Sequence, residues 1–148
     1  QLLSGGHYVN VHTAAFTGGE IRGQITPDNI EVYGIIANGQ QEVPAVTTDA
    51  SGAGAFTLNT STGALSGSVT ITGMTANMAH IHEGEAGANG NVLLGLTAGA
   101  DGMWSVPTNT TLTAEQMGVM ADGGLYTNFH SDAFPSGEIR GQITLGFD

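Results

Sequence analysis

Apolar and polar residues alternate along this chain in short stretches that are separated by glycine, asparagine and aspartate. Alternation over about four to eight residues is typical of half-buried β-strands, and the separating residues are typical of turns. Short strands joined by tight turns favour an all-β fold, and we expect an antiparallel, Greek-key-like β-sandwich. The predicted strands are Glu31–Asn38, Gly54–Asn59, Ala64–Thr72, Met78–His82, Val92–Leu96, Gly102–Val106, Leu125–His130 and Gly137–Thr144.

One segment departs from the strand pattern and predicts a short helix at Ala114–Ala121. Thr113 can cap its first turn, and Gln116 stands three residues later, where the return partner of a capping box is needed. The glycine pair that begins at Gly123 ends the helix. Met117 and Met120 lie about one turn apart, so we expect both to face the sandwich.

The start and the end of the chain carry the same sequence motif. The segments Gly19–Thr26 and Gly137–Thr144 are identical at every position and lie 118 residues apart, and a weaker match at the same separation precedes them. A repeat at this spacing predicts one complete module at residues 29–148 and the closing hairpin of a partial module at residues 1–28. An isolated hairpin is marginally stable in water, so we expect it to dock on a neighbouring subunit.

Charge and cysteine content narrow the classes of partner. The chain has two cationic side chains, both arginine, and thirteen carboxylates, which give a formal net charge of −11. Such a chain is a poor ligand for nucleic acid, and no apolar run approaches the roughly 20 residues of a membrane span. With no cysteine, the chain cannot form a disulfide framework, and a soft-metal site must use histidine or methionine.

Histidines carry the candidate chemistry. His80 and His82 alternate along one strand and therefore share a face, and His130 stands on the closing strand. Imidazole suits copper, zinc and nickel, so these three residues predict a metal site, with a copper ion favoured and zinc as the alternative. His12 is the hairpin counterpart of His130 and is predicted to complete a metal site with another chain. A purely structural role, in which the imidazoles bond loop carbonyls, stays open.

Other polar residues support no catalytic assignment. Arg140 shares a strand face with Glu138, and we expect a structural ion pair to Glu42 or to Glu138, with anion guidance as the alternative. The stretch Glu83–Asn91 fits a glycine-rich turn better than a calcium loop, because it lacks the usual Asp-x-Asp spacing. No Ser-His-Asp or Cys-His order is suggested, so no catalytic residue is predicted.

Four motifs in order carry a resemblance to a known family. The ordered set resembles the CHRD (chordin-type) domain over nearly all of residues 29–148, with residues 1–28 as the end of a preceding module. The resemblance implies an extracellular β-sandwich, secreted or at the cell surface. The four motifs are Gly39–Pro44, Ala79–Gly84, Gly87–Val92 and the closing stretch Tyr126–Gln142.

Three functions remain open at this point. The first is a structural surface protein that binds a transition metal and self-associates into a filament or tandem array through its N-terminal hairpin. The second is a copper-dependent enzyme, because the fold is also distantly similar to copper-zinc superoxide dismutase, whose copper sits on a His-x-His strand. The third is an adhesive module that captures a basic extracellular protein on its acidic surface.

Overall fold

A computed structural model describes residues 7–146 of the chain. Over this range the chain forms eleven strands, one α-helix and a short 3-10 helix at Gly39–Gln41. The elements in chain order are β1 His7–Val11, β2 Ile21–Ile25, β3 Ile30–Asn38, β4 Ser51–Asn59, β5 Leu65–Thr72, β6 Met78–Glu83, β7 Asn91–Gly95, β8 Thr97–Ala98, β9 Met103–Ser105, α1 Ala114–Ala121, β10 Leu125–His130 and β11 Ile139–Leu145.

All eight predicted strands are present, and no end moves by more than three residues. Strand β8 was not predicted, because two residues are too few for an alternating pattern. The helix has the predicted bounds, and Thr113 and Gln116 form both bonds of the capping box. Met120 is buried and Met117 packs against the core, so the predicted inner face of the helix is confirmed.

Strands β3 to β11 form one antiparallel sheet in the order β7-β6-β10-β11-β3-β4-β5-β9-β8. Strands β3, β4 and β5 are a meander, and β11 returns to lie beside β3, which is the Greek-key-like feature expected from the sequence. The two outermost strands, β7 and β8, are separated in the chain by Leu96 alone. The sheet therefore curls until its ends nearly meet, and the all-β sandwich-like fold is confirmed.

The inner face of the curled sheet holds a single apolar core. Residues at alternate positions of β3, β4, β5, β6, β10 and β11 contribute to it, together with Trp104 and Met120. On β6 and β10, Ala79, Ile81 and Phe129 point inward. The alternation of a strand then directs the intervening residues of β6 and β10 to the outer face. The predicted histidine site lies on that outer face.

The N-terminal hairpin forms a separate two-stranded sheet from β1 and β2. Residues 1–6 of the predicted hairpin segment, and residues 147–148 of the predicted module, lie outside the described residues. The boundary between the two at residue 28 stays a prediction. Among the described residues, the helix is too short to cross a membrane.

Candidate metal centre

Strand pairing brings the three predicted histidines together. Strand β10 pairs with β6 in antiparallel register, so Tyr126 lies opposite His82 and Asn128 lies opposite His80. His130, two residues further along β10, leans back over the same face. One potential ligand nitrogen from each of the three imidazoles lies within 4.8 Å of the others. His80, His82 and His130 therefore form one cluster, as the sequence predicts.

Backbone carbonyls fix the orientation of two of these rings. His82 Nδ1 lies 3.0 Å from the carbonyl oxygen of Gly90, and His130 Nδ1 lies 3.0 Å from that of Pro135. A carbonyl only accepts, so each Nδ1 carries the proton and each Nε2 keeps its lone pair. Metal-ligating histidines are held in this way, with one nitrogen donating to a carbonyl and the other free to ligate.

The third ring closes the cluster through a bond between imidazoles. His80 Nδ1 lies 3.1 Å from His130 Nε2. Because His130 Nε2 has no proton in the tautomer set by Pro135, His80 Nδ1 donates this bond. The other tautomer of His80, protonated at Nε2, presents a second lone pair at the same place. A metal ion and this bridging proton are therefore alternative ways to satisfy the two nitrogens.

Among the described residues, one buried nitrogen of the cluster has no hydrogen-bond partner. His82 Nε2 is buried and makes no hydrogen bond. A buried acceptor without a partner costs roughly 1–3 kcal/mol, and such groups are rare in folded proteins. An unpaired lone pair on a ring that has two further imidazoles as neighbours fits a metal ligand, so the three residues fit the predicted metal. The same nitrogen has no evident use in a purely structural arrangement.

Burial favours the neutral state, which metal binding requires, in two of the imidazoles, His82 and His130. Desolvation lowers the pKa of His82, and this effect exceeds the opposing effect of the hydrogen bond to Gly90. Desolvation likewise lowers the pKa of His130, against the bond to Pro135. Neutral imidazole is the ligating form, so both rings are ready to bind a cation near neutral pH.

A stack of side chains supports the cluster from one side. The Tyr126 ring lies parallel to the His82 ring, with centroids 4.9 Å apart and planes 12° from parallel. The guanidinium carbon of Arg140 lies 3.5 Å from the centroid of Tyr126. Strands β6 and β11 flank β10 on opposite sides, so Tyr126 lies between His82 and Arg140. Aromatic and cation–π contacts of this kind fix the position of the ring.

Arg140 does not have the bidentate carboxylate partner that the sequence suggested. Its guanidinium donates to the carbonyl oxygens of Glu85 and Ala88, both at 2.8 Å, and to Gln142 Oε1 at 3.1 Å. Glu42 acts on it only through space. The reason is geometric, because the loop at residues 84–90 covers this face and points its carbonyls at the cation. A calcium ion there would compete with Arg140 for the same oxygens.

The repeated motif on β11 holds this covering loop. Gln142 Nε2 donates to the carbonyl oxygens of Gly84 and Gly123, while Gln41 Oε1 accepts from the backbone of Gln142. The 84–90 loop in turn accepts from His82 and donates from Gly90 to the Tyr126 hydroxyl. The loop that orients His82 is therefore tied to Arg140, Gln142 and Tyr126.

A second buried polar group lies beside the cluster. Asn128 Nδ2 donates to Glu42 Oε2 at 3.2 Å, while Glu42 Oε1 and Asn128 Oδ1 are buried without partners. Both unpaired oxygens lie next to Gly137, at 2.8 and 2.5 Å from the position a Cβ would take. Protonation of Glu42 would turn one of these two unpaired acceptors into a donor. Burial raises the pKa of Glu42 to about 6, although Asn128 and Arg140 act in the opposite direction.

Sequence reasoning missed the groups that orient the site. The carbonyls of Gly90 and Pro135, the ring of Tyr126 and the Glu42–Asn128 pair have no separate signature in one sequence. Glu42 and Gly90 do fall inside the ordered motifs that carry the family resemblance, and Tyr126 recurs in the hairpin as Tyr8. The family motifs and the repeat in the hairpin were therefore the signals in the sequence that could have identified these residues.

His12, the fourth predicted ligand, lies outside the histidine cluster that the described residues form. It stands at the end of the hairpin, exposed, with Nδ1 2.8 Å from the carbonyl oxygen of Thr17. The described structure contains no partner chain to supply further ligands to it. Its role in a shared metal site stays a prediction.

Comparison with known proteins identifies the family. The model of the CHRD domain matches residues 1–25 and 33–143, which is most of the chain. The chain therefore belongs to the CHRD domain family. No curated protein and no solved structure matches it, so the distant similarity to copper-zinc superoxide dismutase stays a prediction.

Proposed function

We propose that this chain is an extracellular structural module that holds one transition-metal ion between His80, His82 and His130. CHRD domains occur in extracellular and secreted proteins, which supports a secreted or cell-surface location. The observation that carries the metal proposal is the buried and unpaired Nε2 of His82, in a ring whose centroid lies 5.6 Å from that of His80 and 6.4 Å from that of His130. The carbonyl anchors on His82 and His130 supply the orientation that a ligand set requires.

Copper is the favoured ion and zinc the alternative. Three imidazole nitrogens form a borderline-soft donor set that suits both metals, and copper(II) binds a given nitrogen site more tightly than other divalent first-row ions. No protein cysteine competes for copper, since the chain has none. Three protein ligands leave one coordination position for water or a further donor.

Metal titration of the native protein tests the site. We expect one equivalent of copper(II) to bind, with a paramagnetic resonance spectrum split by several nitrogen nuclei. His82→Ala removes one imidazole and should weaken binding at least 100-fold, because a lost ligand costs several kcal/mol. His12→Ala is the matched control, since it removes an exposed imidazole with the same carbonyl contact outside the cluster. Equal copper binding by wild type and His82→Ala would reject the site.

An enzymatic role has less support than a structural one. Arg140 is 1% exposed and uses its N–H groups on loop carbonyls, so it does not face an incoming anion. This position favours the structural interpretation of Arg140 over anion guidance. Superoxide dismutation by the copper-loaded protein, measured against the same amount of free copper, separates the two interpretations. Activity well above that of free copper would support the enzyme.

The module also assembles through its N-terminal hairpin, into a filament or a tandem array. Apolar side chains on one face of this hairpin are exposed, among them Val9, Val11 and Ile21. An exposed apolar sheet face is the usual mark of an interaction surface. Light scattering and electron microscopy of native material, with and without Val11→Asp, test whether this face holds subunits together. If the assembly state is the same with and without Val11→Asp, the hairpin is not part of the interface.

A further inference from the structure

The N-terminal hairpin has the same strand register and the same backbone bonds in its turn as the closing hairpin of the module. In β10 and β11, the register pairs Asn128 with Arg140, and in β1 and β2 it pairs Asn10 with Arg22. The connecting turn repeats as well, because Phe16 exchanges backbone bonds with Thr13 as Phe134 does with Ser131. Each equivalence keeps the separation of 118 residues. The backbone of the hairpin is thus that of a module's last two strands.

Side chains on its outer face are also copied. Arg22 lies over Tyr8 at 3.7 Å, as Arg140 lies over Tyr126 at 3.5 Å. The His12 ring is anchored by a loop carbonyl in the same way as that of His130. The hairpin therefore presents one oriented imidazole, a stacked tyrosine and an arginine, which is half of the centre described above. The missing half is a His-x-His strand with its covering loop.

The inner face of the hairpin lacks the core that its counterpart closes. Phe129, Ile139 and Ile143 are fully buried in the module. Their hairpin equivalents Val11, Ile21 and Ile25 are 45%, 66% and 38% exposed. In the described part of the chain, β1 pairs with β2 alone, whereas β10 and β11 are flanked by β6 and β3. The hairpin therefore has the backbone of a module's last two strands and an exposed apolar surface. It lacks the other strands of a module, which we call the module body.

We propose that the hairpin closes a second CHRD module body that is joined directly ahead of Gly5 and lacks closing strands of its own. Its β1 then pairs with the His-x-His strand of that body, and His12 becomes the third imidazole of that body's metal centre. The residues before β1 support this connection, since Gly5-Gly6 repeats the Gly123-Gly124 pair by which the chain leaves α1 and enters β10. The metal part rests on the proposed function, while the docking part does not.

A second copy of this chain is the poorer partner. Its own place for closing strands is filled by β10 and β11. In the core of a second copy, Val11 would also take the place of Phe129, and His7 would take the place of the buried Leu125. Replacing Phe by Val leaves a cavity, and a buried imidazole needs a partner. The preceding body therefore differs from residues 29–122 where it contacts these two positions, so a fusion to residues 29–122 is made both with and without Val11→Phe.

A tandem fusion that contains residues 5–148 of the chain tests the proposal. Residues 29–122 are fused ahead of residues 5–148, so that the hairpin follows a body at the natural spacing. We expect amide exchange in β1 and β2 to slow on the order of 100-fold relative to the unfused chain, because the strands become part of a packed sheet. We also expect two copper equivalents in place of one, and only one in the fusion that carries His12→Ala. Val11→Phe should raise the melting temperature of the fusion, because it restores the residue that the body holds at this position.

The outcomes separate this proposal from the proposed function. Slow amide exchange of the hairpin in the fusion, with no copper bound, would support docking and reject the metal centre. One copper equivalent with hairpin amides that exchange as in the unfused chain, both with and without Val11→Phe, would overturn the docking and leave the centre of the complete module intact. Hairpin amides of the unfused chain that become protected as its concentration rises would assign the surface to a second copy and would also overturn the proposal.

Discussion

Arg140 and Tyr126 are stacked, with the guanidinium carbon 3.5 Å from the centre of the ring. Both side chains are buried, and each binds the 84–90 loop, Arg140 through two carbonyls and Tyr126 through the backbone of Gly90. The pair therefore connects the loop that covers the site to the ring that supports His82. Changes at either residue should affect both stability and metal binding.

Arg140→Lys should destabilise the module by about 2–3 kcal/mol. An ammonium cannot reproduce the planar stack and reach two separate carbonyls, so at least one charge-assisted bond is lost in a buried setting. Urea denaturation measures the change. Arg22→Lys is the control, because it alters the same kind of stack in the exposed hairpin, and its effect should stay below about 0.5 kcal/mol. Equal effects at the two positions would contradict the structural role given to Arg140.

Tyr126→Phe should weaken metal binding modestly while leaving the fold intact. The substitution keeps the stack on His82 and removes only the hydroxyl that accepts from Gly90, which costs about 1 kcal/mol. Because Gly90 also supplies the carbonyl that orients His82, we expect copper affinity to fall by roughly 3- to 10-fold, somewhat less than the roughly 10- to 100-fold that loss of a group bonded directly to a ligand costs. Isothermal titration checks this. Tyr8→Phe, at the equivalent hairpin position, should leave the affinity unchanged.

Glu42→Gln should change how stability depends on pH. The folded pKa of Glu42, about 6, lies above its ordinary value of 4.5, so the folded state binds this proton more tightly than the unfolded state. Its contribution to stability is complete below about pH 4.5 and is lost as the pH rises through 6. Glutamine is neutral at every pH and can donate to Asn128 Oδ1. We expect the variant to match wild type at pH 4 and to exceed it by on the order of 1 kcal/mol at pH 8.

Denaturation at several pH values gives the difference between variant and wild type, which cancels the other carboxylates. Arg140 is the charged group that acts on Glu42 through space, and it favours the ionised form. Glu20→Gln removes one carboxylate from the exposed hairpin and serves as the control for the change in net charge. A Glu42→Gln variant that is less stable than wild type at pH 8 would contradict the buried-proton account.

Gly137→Ala should destabilise the module by about 2 kcal/mol or more. Gly137 has a φ of +130°, and an added Cβ would meet Asn128 Oδ1 and Glu42 Oε1 at 2.5 and 2.8 Å. Both the backbone conformation and the contact oppose a side chain. Gly123→Ala isolates the first effect, since Gly123 has a φ of +75° and open space at its Cβ position. A Gly137→Ala cost equal to that of Gly123→Ala, measured by thermal melting, would remove the role given to the contact.

Local pattern carried much of the fold. Alternation placed the eight strands, and the capping residues Thr113 and Gln116 fixed the helix, because these signals arise from neighbours in sequence. The order of strands in the sheet and the near contact of β7 with β8 depend on long-range pairing, which one sequence does not reveal. The unit as a whole was visible only through the 118-residue repeat and the ordered family motifs.

The clustering of the three histidines could be predicted from the sequence, and the groups that orient them could not. His80 and His82 share a face by strand alternation, and the repeat singled out His130. The partners of Arg140 could not be foreseen, because they are carbonyls of a loop, and any residue type supplies a carbonyl. Of the two carboxylates expected to bind it, Glu42 accepts from Asn128 instead, and Glu138 accepts from Thr48 and Ser131.

The one-residue step at Leu96 between β7 and β8 has a consequence for solubility. The free edges of the main sheet are a strand of five residues and a strand of two, so few unpaired amides are offered to another molecule. Long free edges are where similar domains pair wrongly and nucleate cross-β aggregates. Neighbouring modules of nearly identical sequence are the most exposed to that hazard, since each can substitute for the other during folding. A sheet that almost closes on itself leaves little edge for such mispairing.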